Sequence, residues 1–207
     1  MRKSLSVVVC LFIFLMLPEF SFSATIASPR TYISVQTGVA ILTDSDISGS
    51  SIDGTVEFDP GSSEGFAVGA NFNLFRVEGE IGYQLNSIDE AVNHTEDEHY
   101  DAGDYASALT FLVNGYLNIP NPSRFTPYIT GGVGIAYLTV DDLYYGGSSD
   151  DTVFAYQVGA GVGYALNKNM SLDLKYRYFA TADPEFEGIK AEVASHNVYF
   201  CFRYNFN

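Results

Sequence analysis

The chain has few cysteines, few basic residues and no tryptophan. Its 207 residues include 2 Cys, 10 Lys and Arg, and no Trp. Cys10 lies in the N-terminal apolar run described below, so a chain without that segment keeps only Cys201 and forms no internal disulfide. The 25 Asp and Glu outnumber the basic residues, which excludes nucleic acid as an expected partner because its phosphates would be repelled.

The sequence also lacks a long apolar run and a sustained helical period. Residues 5–17 are apolar except for Ser6, follow Arg2 and Lys3, and precede small residues that end at Ser23. This run is shorter than the roughly 20 residues of a membrane-spanning helix. We therefore predict a signal peptide over residues 1–23, cleaved after Ser23, and one mature domain over residues 24–207; an uncleaved anchor is the alternative.

Alternating apolar and polar residues fill the rest of the chain and predict β-strands. Near the C-terminus, Val198, Phe200 and Phe202 fall on one face of an extended strand, because side chains alternate across a strand. Eight segments follow this rule, and Leu112 breaks the polar face of the fourth. The predicted strands are 31–42, 65–75, 76–88, 105–118, 126–139, 153–166, 170–181 and 195–206.

The predicted connections alternate between short and long. Short turns are expected at Phe75-Arg76, at 119–125 and at 167–169, and long loops at 43–64, 89–104, 140–152 and 182–194. After residue 23, all Asp and Glu lie in the long loops except Glu78, Glu80 and Asp173, so no charge falls on an apolar strand face. Short turns at one end and long loops at the other are typical of an outer-membrane barrel.

Eight strands in lipid must close into a barrel, because an open sheet edge has no hydrogen-bonding partner there. The interior of such a barrel is just wide enough for its own side chains. Three acids and three bases face inward and predict a buried ionic network, since unpaired buried charges are prohibitive. Its members are Glu78, Glu80, Asp173, Lys175, Arg177 and Arg203, with Gln36, Asn71, Asn114 and Gln157 completing the hydrogen bonds. The inward glycines leave room either for these long side chains or for a narrow water path.

Four segments carry a resemblance to a known family: 126–137 (TPYITGGVGIAY), 157–164 (QVGAGVGY), 172–178 (LDLKYRY) and 196–206 (HNVYFCFRYNF). The chain resembles the small eight-stranded outer-membrane β-barrel superfamily, which includes the OmpA-like transmembrane domain and the opacity-type porin family of surface proteins. The resemblance implies an all-β, eight-stranded antiparallel up-and-down transmembrane β-barrel, exported through the periplasm to the outer membrane of a Gram-negative cell. It also implies that the barrel assembly machinery reads the terminal aromatics, here Tyr204 and Phe206, although Asn207 follows them.

Few residues point to a chemical site. His94 and His99 stand among carboxylates and are candidates for a divalent cation, but a solvated acidic loop is the favoured interpretation, and no metal or cofactor is expected. Ser195 and His196 are adjacent, so they lie on opposite faces of a strand and cannot pair as nucleophile and base. Phe58, Tyr144 and Tyr145 are loop aromatics that either contact a partner or pack within their loops.

These observations favour a non-enzymatic surface protein of the outer membrane. It is expected to be a monomer in contact with outer-membrane lipid and lipopolysaccharide, and to contribute to envelope integrity or adhesion through its acidic loops. A host or surface ligand of those loops is a possible partner. A small channel for solutes is the alternative function, and a lipid A-modifying enzyme is the second alternative.

Overall fold

The computed structural model describes residues 29–43, 45–49, 52–93, 98–101, 105–142, 147–182, 185–186, 189–191 and 193–206. The predicted signal peptide lies outside these residues. Eight long strands form the body of the molecule, each antiparallel to its neighbours, and the last strand pairs with the first. They are β1 (Arg30–Leu42), β2 (Gly61–Asn71), β3 (Phe75–Asn93), β4 (Tyr105–Asn118), β5 (Phe125–Asp142), β6 (Gly147–Ala165), β7 (Met170–Thr181) and β8 (Ala194–Asn205). The predicted eight-stranded up-and-down barrel is confirmed.

The strand registers define a closed and strongly tilted barrel. β1 and β8 pair over their full lengths, from Tyr32 opposite Asn205 to Leu42 opposite Ser195. A row of paired residues passes from strand to strand round the barrel, starting at Val162 of β6. After all eight strands the row returns to β6 at Thr152, ten residues from its start. Such a stagger tilts every strand against the barrel axis, as closure of a sheet requires.

The outward face of the barrel is apolar and exposed. Phe200 is 70% exposed, and comparable side chains stand out from every strand. They include Val35, Phe66, Ile81, Phe111, Ile129, Val158, Leu174 and Phe202. A continuous apolar surface of this extent exceeds what proteins expose to water, and it matches the lipid-facing band of a membrane barrel.

Three strands run further than their alternation predicts. β3 has 19 residues, β5 has 18 and β6 has 19, whereas the sequence indicated ends at 88, 139 and 153. Asp141 pairs with Ser148, and Asp150 with Thr139, so acidic residues assigned to a loop lie on the continued β5–β6 ladder. Backbone pairing carries these strands beyond the apolar band, where the side-chain pattern no longer marks them.

The first short turn lies earlier than predicted. β2 ends at Asn71 and β3 begins at Phe75, so the turn is 72–74 and not Phe75-Arg76. Asn73 adopts a positive φ of 74°, and its N–H donates to Asn71 Oδ1 at 2.9 Å. Asn tolerates this left-handed conformation and closes the turn with its neighbour's side chain. The apolar residues Phe72 and Leu74 continue the alternating pattern of a strand, so the sequence did not indicate this turn.

Two exposed acidic residues on strands, Glu64 of β2 and Asp150 of β6, contradict the expectation of an uncharged outer wall. Glu64 was assigned to the first loop, but it lies on β2, exposed on the outward face. It pairs with Thr37 of β1 and with Tyr83 of β3, in the half of the barrel that carries the long connections. This polar setting places Glu64 at the rim of the apolar band, where a charge costs far less than at the bilayer centre.

Parts of the predicted long loops form a second sheet. Ser45–Gly49 pairs with Ile52–Phe58, which pairs in turn with the outer end of β3. Glu98–Asp101 also pairs with β3. Ile189–Ala191 pairs with Ser45–Gly49 on one side and with Glu185–Phe186 on the other. Segments of the first, second and fourth connections therefore share one hydrogen-bonded sheet above the barrel. Among the residues that the structure describes, no helix is long and apolar enough to cross a membrane.

Candidate functional site

The barrel lumen contains a buried carboxylate between two cations. Glu80 Oε1 lies 2.9 Å from Arg177 Nη1, and its Oε2 lies 3.7 Å from Lys175 Nζ. Gln36 donates to Oε1 at 2.9 Å, and Asn114 donates to Oε2 at 2.8 Å. Lys175 also donates to Gln36 Oε1 at 2.6 Å. Each charge in this group therefore has both an ionic and a hydrogen-bonding partner, which a buried ion pair needs.

A second carboxylate, nearer the short turns, is arranged in the same way. Asp173 Oδ1 accepts a hydrogen bond from Arg203 Nη2 at 3.2 Å, and Asp173 Oδ2 lies 3.6 Å from Arg76 Nη1. Arg203 Nε donates to Ser171 Oγ at 3.1 Å. The two carboxylates thus organise four bases in two separate groups.

Glu78 is held by neutral donors. Tyr32 donates its hydroxyl to Oε2 at 2.7 Å, while Tyr116 and the amide of Asn114 donate to Oε1. Asn114 also donates to Glu80 and accepts from Gln157 Nε2, so it joins Glu78 to the Glu80 group. Hydroxyl and amide donors stabilise a buried carboxylate without adding a charge.

Arg76 is the lumen residue that sequence reasoning missed. It was assigned to a turn, but it is buried at 3% exposure and its guanidinium lies 4.2 Å from the ring centre of Tyr116 and 4.7 Å from that of Tyr128. The described network therefore has four bases and three acids, not three of each. Arg76 lies two residues before Glu78 and four before Glu80, so strand alternation places all three on the inward face. This pattern could have identified Arg76, but the turn was predicted at Arg76 itself.

Tyr199 extends the Glu80 group toward the outer half of the lumen. Arg177 Nη2 donates to the Tyr199 hydroxyl, which is also 2.7 Å from Ser63 Oγ. The Tyr199 ring lies under both Arg177 and Lys175, at 4.6 Å and 5.0 Å from ring centre to cation. A cation above an aromatic face gains further stabilisation when water is excluded.

The outer half of the lumen contains an apolar cluster that the alternation pattern did not predict. Leu112 of β4 belongs to it, which explains why this residue interrupts an otherwise polar face. The cluster comprises Ala108, Leu112, Ala136, Leu138, Val153, Ala155 and Phe179, with Val193 packed against it. Arg177 lies 5.5 Å from the Phe179 ring, so the charged and apolar layers are in contact.

Side chains occupy the space above the inward glycines. An added Cβ at Gly161 would lie 2.5 Å from the Tyr128 ring, and one at Gly69 would lie 2.5 Å from the Tyr32 ring. At Gly163 it would lie 2.9 Å from Asp173 Oδ1. These glycines allow long polar and aromatic side chains to cross the lumen.

A cavity about the size of one water molecule lies between the two charged groups, with a volume of about 10 Å³. Ser34, Arg76, Glu78, Asp173 and Lys175 are among its lining residues. Cys201, a free buried thiol, also lines it. Within the described part of the lumen, the structure thus has polar side chains where a conducting barrel has an open path.

The other predicted residues have different outcomes. Asn71 takes part in the turn at Asn73, not in the charged groups. Tyr204 and Phe206 form an edge-to-face pair 5.2 Å apart at the end with the short turns, and their role as an assembly signal stays a prediction. Tyr144, Tyr145, His94 and the side chains of His99 and Phe58 lie outside the described residues. Among the residues described, no group of three His, Cys, Asp or Glu side chains is arranged to hold a metal ion.

Ser195 and His196 lie on opposite faces of β8. Ser195 is fully buried in the lumen and its hydroxyl donates to Gln84 Oε1 at 3.3 Å. His196 is exposed on the outer wall, and its Nδ1 lies 2.7 Å from the Tyr176 hydroxyl. The barrel wall separates the serine from the imidazole.

A closed eight-stranded barrel with an apolar wall and a polar lumen defines the class of small membrane β-barrels. The family model for the outer membrane protein beta-barrel domain matches residues 8–206. The chain belongs to this family, and it is a multi-pass protein of the outer membrane, in contact with membrane lipid.

Related sequences agree with this assignment. The chain is 30% identical over 158 residues to an uncharacterized protein of Brucella abortus, which covers 61% of this chain and 56% of the relative. It is 32% identical over 88 residues to the outer membrane protein PagN of Salmonella typhimurium, covering 39% of this chain and 37% of that protein. The matches therefore span about half, or less, of the length of these relatives.

Solved structures share the fold at lower identity. Neisserial surface protein A has a TM-score of 0.56 and 20% identity, with 84% of this chain and 97% of that chain covered. OprG of Pseudomonas aeruginosa has a TM-score of 0.55 and 18% identity, with 87% and 97% covered. The first is a surface protein by name and the second an outer-membrane protein, and at this identity the likeness shows the fold alone.

We predict that Glu80→Gln destabilises the barrel by about 3–5 kcal/mol, because it leaves Lys175 and Arg177 buried without their shared anion. Urea unfolding in lipid vesicles, followed by the difference in gel migration between boiled and unboiled protein, measures the change. The double variant Glu80→Gln/Lys175→Met also removes one of the two unpaired buried cations and should recover part of the lost stability.

The matched control is Arg124→Gln, which removes an exposed charge in a short turn and should change stability by less than about 0.5 kcal/mol. A loss below about 1 kcal/mol for Glu80→Gln would show that the Glu80 group does not hold the lumen together.

Proposed function

We propose that this protein is a non-enzymatic surface protein of the outer membrane whose barrel is closed to solutes and whose acidic outer segments contribute to adhesion or envelope integrity. The observation that carries this proposal is the filled lumen. Two charged groups occupy its inner half and the cluster around Leu112 and Phe179 occupies its outer half. A barrel filled in this way serves as an anchor for what stands above it.

The sheet above the barrel supports a role in contact with other surfaces. It joins segments from three connections by backbone pairing to the outer end of β3, so the barrel holds them in a fixed arrangement. The segments 45–49 and 52–58 carry Asp46, Asp53 and Glu57. Acidic segments on a rigid scaffold suit a basic partner surface, for which long-range attraction speeds encounter.

The distribution of nucleophiles supports the absence of catalysis as part of the proposal. Ser195 hydrogen bonds to Gln84 inside the lumen, while the imidazole of the next residue points to the opposite side of the wall. Acyl transfer by a serine needs its hydroxyl within hydrogen-bond reach of the base. The lipid A-modifying alternative therefore has no support from this pair of residues.

We predict that the refolded protein inserted into a planar lipid bilayer shows no discrete conductance steps. The ion pair between Arg177 and Glu80 and the apolar cluster leave ions without a hydrated path. Discrete steps from the native protein, larger when Arg177→Gln removes that ion pair and unchanged by Arg124→Gln, would contradict closure and favour the small-channel alternative.

We predict that the acidic segments promote attachment of cells that display the protein. Replacing Asp46 and Asp53 by Asn and Glu57 by Gln should lower adherence to a surface coated with a basic protein several-fold at low salt, because the attraction to its basic groups is lost. High salt should reduce the difference between the native and altered proteins. The matched control, Arg124→Gln with Lys168→Gln, changes charge at the opposite end of the barrel and should leave adherence unchanged.

Native adherence by the neutralised protein, displayed at the same level, would contradict an adhesive role for these acidic segments. The detergent sensitivity of cells that lack the protein then tests the role in envelope integrity, which predicts higher sensitivity than in cells that have the protein. Unchanged sensitivity together with unchanged adherence would overturn the proposed function.

A further inference from the structure

The lipid-facing wall carries a polar cluster that the proposed function does not use. His196 of β8 is exposed, and its Nδ1 lies 2.7 Å from the hydroxyl oxygen of Tyr176 on β7. The imidazole also packs against the Tyr178 ring, with ring centres 5.3 Å apart and planes at 55°. One imidazole and two phenols thus meet on a wall that is otherwise apolar around them.

The registers place this cluster at the outer margin of the apolar band. The pair Tyr204 and Phe206 marks the end with the short turns, and His196 lies eight residues from Tyr204 along β8. At about 3.3 Å per residue and a tilt of about 40°, this separation rises about 20 Å along the membrane normal. The apolar band of such barrels is about 25 Å tall, so the His196 backbone stands a few ångströms below its outer margin, within about one side-chain length of the outer-leaflet headgroups.

The described neighbours of His196 on β1, β7 and β8 are uncharged. Ile41 lies opposite it on β1 and Tyr178 opposite it on β7. Tyr176 is the diagonal partner on β7, and Val198 follows on the same face of β8. None of these four side chains is a carboxylate that would neutralise a protonated imidazole. Among the side chains that the structure describes, those with polar groups beside a cation here are phenols, and the cation faces the lipid.

We propose that His196, Tyr176 and Tyr178 form a binding site for a phosphate group of the outer-leaflet glycolipid. A protonated imidazole has two N–H donors, and a phosphate oxygen accepts charge-assisted hydrogen bonds from such groups. Nδ1 is in contact with the Tyr176 hydroxyl, and Nε2 has no partner among the described residues. The imidazole Nε2–H and the Tyr176 O–H are therefore both available to donate to an anion at this position.

The surroundings favour a lipid as the source of the phosphate. Below the cluster, Val198, Phe200 and Leu174 form an exposed apolar surface on the same two strands, where acyl chains lie. Above the barrel, the long connections are rich in Asp and Glu and repel soluble anions. A phosphate that is attached to acyl chains reaches the site from the bilayer without crossing that acidic region.

Native mass spectrometry of the detergent-solubilised barrel tests the site, with bisphosphorylated lipid A and its dephosphorylated form as probes. We expect the native protein at pH 6 to retain bisphosphorylated lipid A about tenfold better than either His196→Gln or the dephosphorylated probe, because the charge-assisted contacts are lost. His196→Lys, which places a cation at the same position, should still retain the lipid.

Two controls complete the test. Tyr176→Phe should weaken retention, while Tyr83→Phe, which removes an exposed outer-wall hydroxyl on β3, should not. Each variant is first shown to fold by its heat-dependent gel migration. Equal retention by native protein and His196→Gln, equal retention of the two probes, or displacement of lipid A by millimolar inorganic phosphate would each overturn the proposal.

Discussion

Glu80 and Asp173 each lie between two basic side chains in a space closed to bulk water, and the rest of the barrel is arranged around these contacts. Glu80 joins Lys175 and Arg177 on β7 to Gln36 on β1 and Asn114 on β4, so one carboxylate links residues from four strands. Asp173 joins β7 to β3 and β8 through Arg76 and Arg203. Removing one partner of such a group leaves a buried charge without a partner or solvent, which is strongly destabilising. The charged groups therefore hold strands together across the lumen, in addition to the hydrogen bonds between neighbouring strands in the wall.

The layers of the molecule follow from this central constraint. Because long aromatic and charged side chains extend into the lumen, glycines are needed on the neighbouring strands, as at Gly161 beside Tyr128 and at Gly163 beside Asp173. Because those side chains fill the inner half, the outer half can be apolar on one side, with Leu112 and Phe179 packed together. The wall is then mostly apolar toward lipid, with Glu64 and the contact between His196 and Tyr176 as polar exceptions, and the continued strands β3, β5 and β6 extend beyond the apolar band. This arrangement is the basis of the proposal that the interior excludes solutes while the outer end contacts other surfaces.

Residue alternation predicted the barrel, its eight strands and which side chains point inward, because period two is the direct consequence of strand geometry. It did not predict the ends of the strands. Asp141 and Asp150 resemble loop residues in the sequence, yet they pair on a ladder whose hydrogen bonds do not depend on side-chain polarity. The turn at Asn73 was misplaced because its neighbours are apolar, and this single shift concealed Arg76, the fourth base of the network. The contact between His196 and Tyr176 depends on the register between β7 and β8, which no local pattern contains.

The distance between the Glu80 carboxyl carbon and the Arg177 guanidinium tests the central contact most directly. Solid-state NMR dipolar recoupling between a ¹³C-labelled carboxyl and ¹⁵N-labelled guanidinium, in lipid bilayers, measures it. The account predicts a short contact, since the oxygen-to-nitrogen distance is 2.9 Å, and therefore a carbon-to-nitrogen separation below about 4.5 Å. A separation beyond about 6 Å, with guanidinium protons that exchange rapidly with bulk water, would contradict a closed and paired lumen.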